Sequence, residues 1–256
     1  MTTSEVMTKH GPMIIPDQDV WIGRSLRELG EHSQCEINFM YLAMGLMTRG
    51  AFNSTVIDAG AYIGDLTIPV SRFCKHIYAF EPQAESRAIL EENIRINHRE
   101  NVTVLPYALG EQSNLPLRYK TADARWNENQ DSPGSIHMGD DDGTETAEMV
   151  SLDSLGLDVD FLKADIEGME IPMLAGARDT LSRCHSTLFL ERDTVILKDY
   201  MTLGEVLEVL GYDYYPMSFP MWRPDNHNRA PNTFGSTVAH MMLGVPRCQS
   251  LDKGSH

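Results

Sequence analysis

Residues 56–67 read V-I-D-A-G-A-Y-I-G-D-L-T, and they restrict the fold more than any other stretch. The apolar pair Val56-Ile57 suits a buried parallel strand, which Asp58 ends. Gly60 and Gly64 follow at a spacing of four, and Leu66, Ile68 and Val70 then lie on a helix. Strand, glycine turn and helix together bring backbone close to a nucleotide. Gly60 permits the tight turn, and Gly64 lets helix and ligand approach. The dinucleotide fingerprint G-x-G-x-x-G is not met, because Tyr62 and Asp65 stand where it needs glycine. The plainer alternative is a strand-to-helix turn with two incidental glycines.

The alternation of strand and helix continues from there. Strands are expected at 56–59, 76–80, 102–105, 159–164 and 186–190, with helices at 67–74, about 82–97 and 171–181. Pro82 suits the first position of its helix. Thr202 and Glu205 form a capping-box pattern for a further helix, which Gly211 stops. Residues 212–217 and 237–245 read as two final strands, joined by a Pro- and Asn-rich loop at 219–234. Such alternation predicts an α/β fold: a mostly parallel Rossmann-like sheet, helices on both faces and an antiparallel C-terminal strand. Residues 1–50 are read as an N-terminal loop or edge strand followed by one helix over 25–49, packed on the core. The main domain is expected over 51–252. On that helix Ile37, Met40, Tyr41, Met44 and Met47 share a face, and core packing is the preferred role for the methionines. Glu31 and Glu36 are the exceptions to watch. Residues 111–151 break the rhythm and are read as an inserted lid or acceptor-side segment, with hairpin strands at 115–120 and 145–152. Its acidic run at 139–143 lacks the alternating ligands of a calcium loop and reads as a solvated turn. Residues 253–256 read as a tag remnant.

Composition narrows the function classes. Hydrophobic residues make up 42% of the 256, enough for a sizeable core. The longest nearly apolar run, residues 37–47, contains Asn38 and is too short to span a bilayer. No charged-then-apolar leader is recognised. The four cysteines are far apart, which suggests free thiols in a reducing, cytoplasmic compartment. A formal net charge of -16 disfavours nucleic acid and anionic lipid as partners. An oligomer is compatible with all of this.

In a parallel sheet, ligands bind beyond the carboxyl ends of the strands at the switch point. Asp58, Glu81, Leu109, Asp165 and Glu191 end the expected strands or follow them directly. Glu81 follows Asp58 at roughly the distance where an acid binds both ribose hydroxyls. The alternative for Glu81 is a surface acid that caps the next helix. The D-x-G-x-x-x-G run is similar to the first motif of S-adenosylmethionine-dependent methyltransferases. Together with Ala79-Phe80-Glu81-Pro82, Tyr107-Ala108-Leu109-Gly110 and especially Lys163-Ala164-Asp165-Ile166-Glu167-Gly168-Met169-Glu170, it resembles the FkbM-type methyltransferase family. The resemblance covers about residues 30–191. At Tyr62 the family commonly has Asn.

The resemblance implies a class I methyltransferase fold, S-adenosylmethionine as cofactor with S-adenosylhomocysteine as product, and methylation of hydroxyl oxygens on sugars or natural products. Asp58, Gly60, Ala61, Tyr62 and Gly64 would cradle the methionine part, and Thr67 would reach its carboxylate. Glu81 and Pro82 would hold the ribose, Ala108 and Leu109 would lie against the adenine, and Asp165 would stand beside both methionine moiety and acceptor. An alcohol is a weak nucleophile, so a base is expected. Asp165, Glu167, Glu191 and His137 are the candidates, although a solvated loop histidine is the plainer reading of His137. Glu170 is read as stabilising a helix N-terminus, and Lys163 as the partner of a carboxylate. No metal site is expected. The competing readings are a nucleotide-cofactor oxidoreductase on a similar sheet and a non-catalytic methyltransferase-like binding protein.

Overall fold

The computed structural model describes residues 2–119, 145–192 and 202–247. Its main sheet has seven strands. In chain order they are β3 (Thr55–Ala59), β4 (His76–Phe80), β5 (Val102–Leu105), β9 (Phe161–Ala164), β10 (Thr187–Glu191), β11 (Tyr212–Pro220) and β12 (Val238–Pro246). Across the sheet they run β5-β4-β3-β9-β10-β12-β11. The first five run parallel to one another, while β12 is antiparallel to both β10 and β11. The order reverses between β3 and β9, so the segments that follow Ala59 and Ala164 leave the sheet side by side at the switch point.

Both faces of the sheet are covered, which is why Val56 and Ile57 are each fully buried despite pointing opposite ways. Ile57 belongs to a cluster with Leu162, Leu188, Leu174, Leu181 and Leu207. Val56 belongs to another, with Phe161, Phe189 and the residues Ile37, Met40 and Met44 of α2 (Gln34–Met47). Each of those three α2 side chains contributes roughly 1.5–3 kcal/mol by its burial. That packing fixes α2 beneath the sheet, with its N-terminus near the carboxyl ends of the strands. Tyr41 and Met47 of the expected apolar face are 45% and 42% exposed, so the buried stripe is narrower than the periodicity suggested.

The N-terminal region departs most from expectation. Residues 2–16 form a separate hairpin, β1 (Thr3–Thr8) with β2 (Gly11–Pro16). The single helix expected over 25–49 is two, α1 (Ile22–Leu29) and α2. Gly30 ends α1 in the left-handed region at φ 68, and Ser33 precedes α2 at φ 45. Buried Asn93, on α4 (Ala84–Ile96), ties the hairpin to the core: its amide donates to Ile14 O at 2.9 Å and Ile63 O at 2.8 Å, and its oxygen accepts from Ile14 N at 2.6 Å.

Smaller corrections follow elsewhere. The helix after the glycine loop, α3, spans only Thr67–Val70. Pro82 lies ahead of the N-cap residue Gln83 rather than within α4. β6 (Tyr107–Leu109) leaves the main sheet to join β7 (Leu115–Tyr119) and β8 (Glu145–Val150) in a sheet of three. The capping box at Thr202 and Glu205 is present in full. Among the described residues, no helix is long and apolar enough to cross a membrane, and Cys35, Cys74 and Cys184 are free thiols. His137, Trp126 and the acidic run 139–143 lie outside the described residues, as do Cys248 and 253–256.

Candidate active site

The glycine turn owes its shape first to the chain itself. Gly60 has φ 78, and a Cβ there would stand 1.9 Å from the carbonyl oxygen of Asp165. Glycine is therefore needed for the close approach of the segment after β9, in addition to any ligand. Asp165 N donates to Ala59 O at 3.1 Å and fixes that approach. Gly64 (φ 87) similarly admits the side chain of Leu90, which a Cβ would meet at 2.7 Å.

Behind the turn lies a buried ion pair. Asp58 and Lys163 are register neighbours on β3 and β9, and Lys163 Nζ is 3.1 Å from Asp58 Oδ1. Burial alone would lower the lysine's pKa, but Asp58, Asp165 and Asp65 together hold it above the ordinary value. The Thr67 hydroxyl donates to Asp58 Oδ2 at 2.5 Å and is fully buried. Asp58, Thr67 and Lys163 thus form a closed unit behind the wall. Removing one member of a buried pair typically costs about 3–5 kcal/mol, because the other charge is left stranded.

In front of the turn is a cavity of about 290 Å³. Gly60, Tyr62 and Glu81 line one side, and Asp165, Glu167 and Glu191 the base. Trp21, Ile22, His32, Ser33 and Glu36 come from the N-terminal region, Met221 from the loop after β11, and Val238, Ala239 and Met241 from β12. Five carboxylates are among these residues, and no lysine or arginine is. Backbone strain gathers here too: of the non-glycine residues with positive φ, Ser33 (45), Tyr62 (47) and Glu167 (53) all line the cavity. Strain of this kind persists only where the surroundings enforce it, and it clusters at functional sites.

Each carboxylate is held differently. Glu81 is 3% exposed; its Oε2 accepts from Tyr62 N at 2.9 Å and its Oε1 from Gln83 N at 2.8 Å. Burial outweighs those bonds and pushes Glu81 up to about 7. Glu36, in the first turn of α2, is pushed by burial to about 7 as well. Glu191 ends β10 and is hydrogen-bonded to Asp165. Burial, then the neighbouring Asp165 carboxyl, pushes it up to about 11. Two carboxyl groups in hydrogen-bond contact hold a shared proton more readily than an isolated carboxyl does.

The other expected site residues are placed elsewhere. Ala61 is buried against Ala79 and Leu90, and Gly64 packs on α4. Leu109 lies in the main apolar core, Ala108 beside it on β6 is 3% exposed, and Pro82 is half-buried; none of the three lines the cavity. Glu170 N-terminally braces its own loop by accepting from Ile166 N at 3.0 Å. Of the two acids flagged on the N-terminal helix, Glu31 pairs with Arg223 at 3.0 Å and Lys9 at 3.6 Å, away from the cavity, while Glu36 lines it.

Tyr62, where the family commonly has Asn, joins the two regions. Its hydroxyl donates to Asp19 Oδ2 at 3.1 Å, and Asp19 Oδ1 accepts from Trp21 N at 2.9 Å. The N-terminal contributors Trp21, His32 and Ser33 were not found from sequence. Gly30 and Ser33 were the available signals, being a C-terminal stop and an N-cap residue three apart inside one presumed helix.

Comparison with known proteins completes the description. The model of the family described as "Methyltransferase FkbM domain" matches residues 58–214. No curated protein matches the chain. Among solved structures, a methyltransferase FkbM from Methylobacillus flagellatus KT is similar at 18% identity and TM-score 0.48, over 80% of this chain and 46% of that one. This chain therefore spans less than half the length of that protein. M. jannaschii TYW2 in complex with AdoMet is similar at 17% identity and TM-score 0.48, over 95% of this chain and 85% of that one. An rRNA methylase from Streptococcus thermophilus is similar at 15% identity and TM-score 0.44, over 83% and 95%.

Proposed function

The chain belongs to the FkbM methyltransferase family, and we propose that it moves a methyl group from S-adenosylmethionine to a hydroxyl oxygen of a small molecule, sugar or natural product. The observation that carries this reading is one cavity that joins the Gly60–Glu81 turn to the hydrogen-bonded Asp165–Glu191 pair.

The residues present fit the cofactor. The turn at Gly60 has no Cβ, and Glu81 faces the cavity with each carboxylate oxygen holding one backbone N–H and retaining further acceptor capacity. Glu81 would hold the ribose hydroxyls, and the carboxylates at the base of the cavity suit the cofactor's positive groups. When bound, S-adenosylmethionine supplies an electrophilic methyl group on a sulfonium. The chain supplies the rest. Much of it is positioning the acceptor oxygen in line for displacement. Asp165 would orient the acceptor hydroxyl and take its proton as the new bond forms. Glu191, hydrogen-bonded to Asp165, would hold that carboxyl in position toward the acceptor. Met221, Val238, Ala239 and Met241 give the apolar side against which an acceptor's carbon skeleton would rest.

The acidic lining and the net charge of -16 favour a neutral or cationic acceptor over a polyphosphate such as RNA. The test is transfer of labelled methyl from S-adenosylmethionine into a panel of sugars, glycolipid precursors, polyketides and RNA. Label in an alkali-stable ether of a small hydroxylated acceptor is the expected result. Label in RNA, or binding of NAD in preference to S-adenosylhomocysteine, would overturn it.

A further inference from the structure

The cavity presents acids to a cofactor that itself carries one acid. Glu36, Glu81, Asp165, Glu167 and Glu191 line it, without lysine or arginine among the described lining residues. The ammonium and sulfonium groups of S-adenosylmethionine suit that lining, but its α-carboxylate does not. The Thr67 hydroxyl, which the family resemblance would assign to that carboxylate, is fully buried and donates to Asp58 instead. Lys163 is likewise committed to Asp58.

What remains is in the break between α1 and α2. His32 lines the cavity with its side chain 13% exposed. Its Nδ1 is buried and has no hydrogen-bond partner. Its Nε2 is 3.9 Å from Asp65 Oδ2, too far for a hydrogen bond. A buried ring nitrogen without a partner costs free energy unless a ligand satisfies it. Ser33 lies next to it on the same wall at the start of α2, where the helix dipole favours negative charge. Burial keeps the imidazole neutral, pushed down to about 4. A neutral ring still has one N–H to donate. Asp19, Asp165 and Asp65 face it from neighbouring elements, as does Lys163.

We propose that His32, beside the start of α2, receives the α-carboxylate of the cofactor, so that the N-terminal region completes the cofactor site. This rests on the S-adenosylmethionine reading given above. It assigns the loop between the two helices, where Ser33 has a strained backbone, a direct binding role.

Calorimetry with two ligands tests it: S-adenosylhomocysteine, and its decarboxylated analogue, which keeps the amine and the thioether. His32→Ala is expected to weaken S-adenosylhomocysteine by about tenfold or more and to change affinity for the analogue by less than about twofold. His32→Gln, which keeps an N–H donor, is expected to fall between wild type and His32→Ala. Binding of the analogue also reports that each variant is folded. An equal loss for both ligands, or an unchanged affinity for S-adenosylhomocysteine, would overturn the assignment while leaving the cofactor reading in place. If the wild-type protein bound neither ligand, the cofactor reading itself would fall, and the role of His32 with it.

Discussion

Two regions face each other across the cavity, and they are built on different terms. One is the motif wall, made of the glycine turn, Glu81 and the segment after β9. The other is the N-terminal cap, made of Trp21, Ile22, His32, Ser33 and Glu36. The motif wall is specified by its backbone. Gly60 is required because the Asp165 carbonyl would meet any Cβ at 1.9 Å, and Glu81 is held by two backbone N–H groups. The cap is specified by tertiary contacts: the Tyr62–Asp19 hydrogen bond, the Glu31–Arg223 ion pair, and Asn93 gripping the hairpin. Backbone demands leave fixed residues at fixed spacing. Tertiary contacts between residues 43 or 192 positions apart leave no local pattern.

The comparison predicts that chemistry belongs to the motif wall alone, and the largest expected effect is at its centre. Asp165→Asn preserves shape and removes the base. We expect kcat to fall by roughly 10²–10⁴-fold while the Kd for S-adenosylhomocysteine stays within a few-fold. Weaker binding with kcat unchanged at saturation would move Asp165 to the cofactor side. No change in either would remove it from the site and leave Glu191 as the next residue to examine. Steady-state kinetics and calorimetry on one preparation distinguish these outcomes.

That division also accounts for what could be read from the sequence. The parallel strands and the acids at Glu81, Asp165 and Glu191 were legible, because β3, β4, β9 and β10 are short apolar runs ended by polar residues. Lys163 was rightly expected to pair with a carboxylate, since two charges in a buried sheet must satisfy each other. Asp58 and Thr67 were harder. Their motif positions suggest ligand contact, but a buried lysine on the adjacent strand draws Asp58 to itself, and Asp58 in turn takes the Thr67 hydroxyl. His32 was hidden by periodicity: Leu26 and Leu29 lead so smoothly into Ile37 and Met40 that the break between them reads as continuous helix.

The next effect tests the joint between the two regions. Tyr62→Phe deletes the hydroxyl that donates to Asp19, a residue with no exposed surface. Asp19 Oδ2 loses a charge-assisted partner, while Oδ1 keeps the bond from Trp21 N. A loss of about 1–3 kcal/mol is expected in urea unfolding, with the slope m unchanged. A variant as stable as wild type would mean that Asn93 and Glu31 hold the cap without help from the motif wall.

The smallest effect is the response to pH, in which the buried acids of both regions and the buried histidines of the N-terminal region have opposite signs. On the motif wall, burial pushes Glu81 and Asp65 up to about 7, and Glu191 to about 11. Glu36 in the cap and Glu170 beside the site also rise to about 7. In the unfolded chain such acids titrate near 4. The folded state therefore binds their protons more tightly. Their stabilising contribution is complete below pH ~4 and is lost as pH rises through the folded values. His10 and His32, in the N-terminal region, behave oppositely. Burial pushes both down to about 4, so the unfolded chain binds their protons more tightly, and stability is lost as pH falls from ~6.5 toward 4. The two sets oppose each other below pH ~6.5. Above ~7.5 the histidines are neutral in both states and the acids near 7 are mostly ionised, while Glu191 and the thiols of Cys35 and Cys74, all raised by burial, still distinguish the folded state. One retained proton corresponds to a slope of about -1.4 kcal/mol per pH unit, and partial exposure makes the observed value smaller. Unfolding free energy of the unliganded protein is therefore expected to fall by on the order of 1 kcal/mol between pH 8 and 9 at constant salt. Glu191→Gln, a neutral near-isostere, should make that slope shallower and leave the thiol contribution of Cys35 and Cys74, whereas His32→Gln should leave it intact and alter only the acid side. A slope between pH 8 and 9 that Glu191→Gln leaves unchanged would mean that Glu191 holds no extra proton in the folded state there.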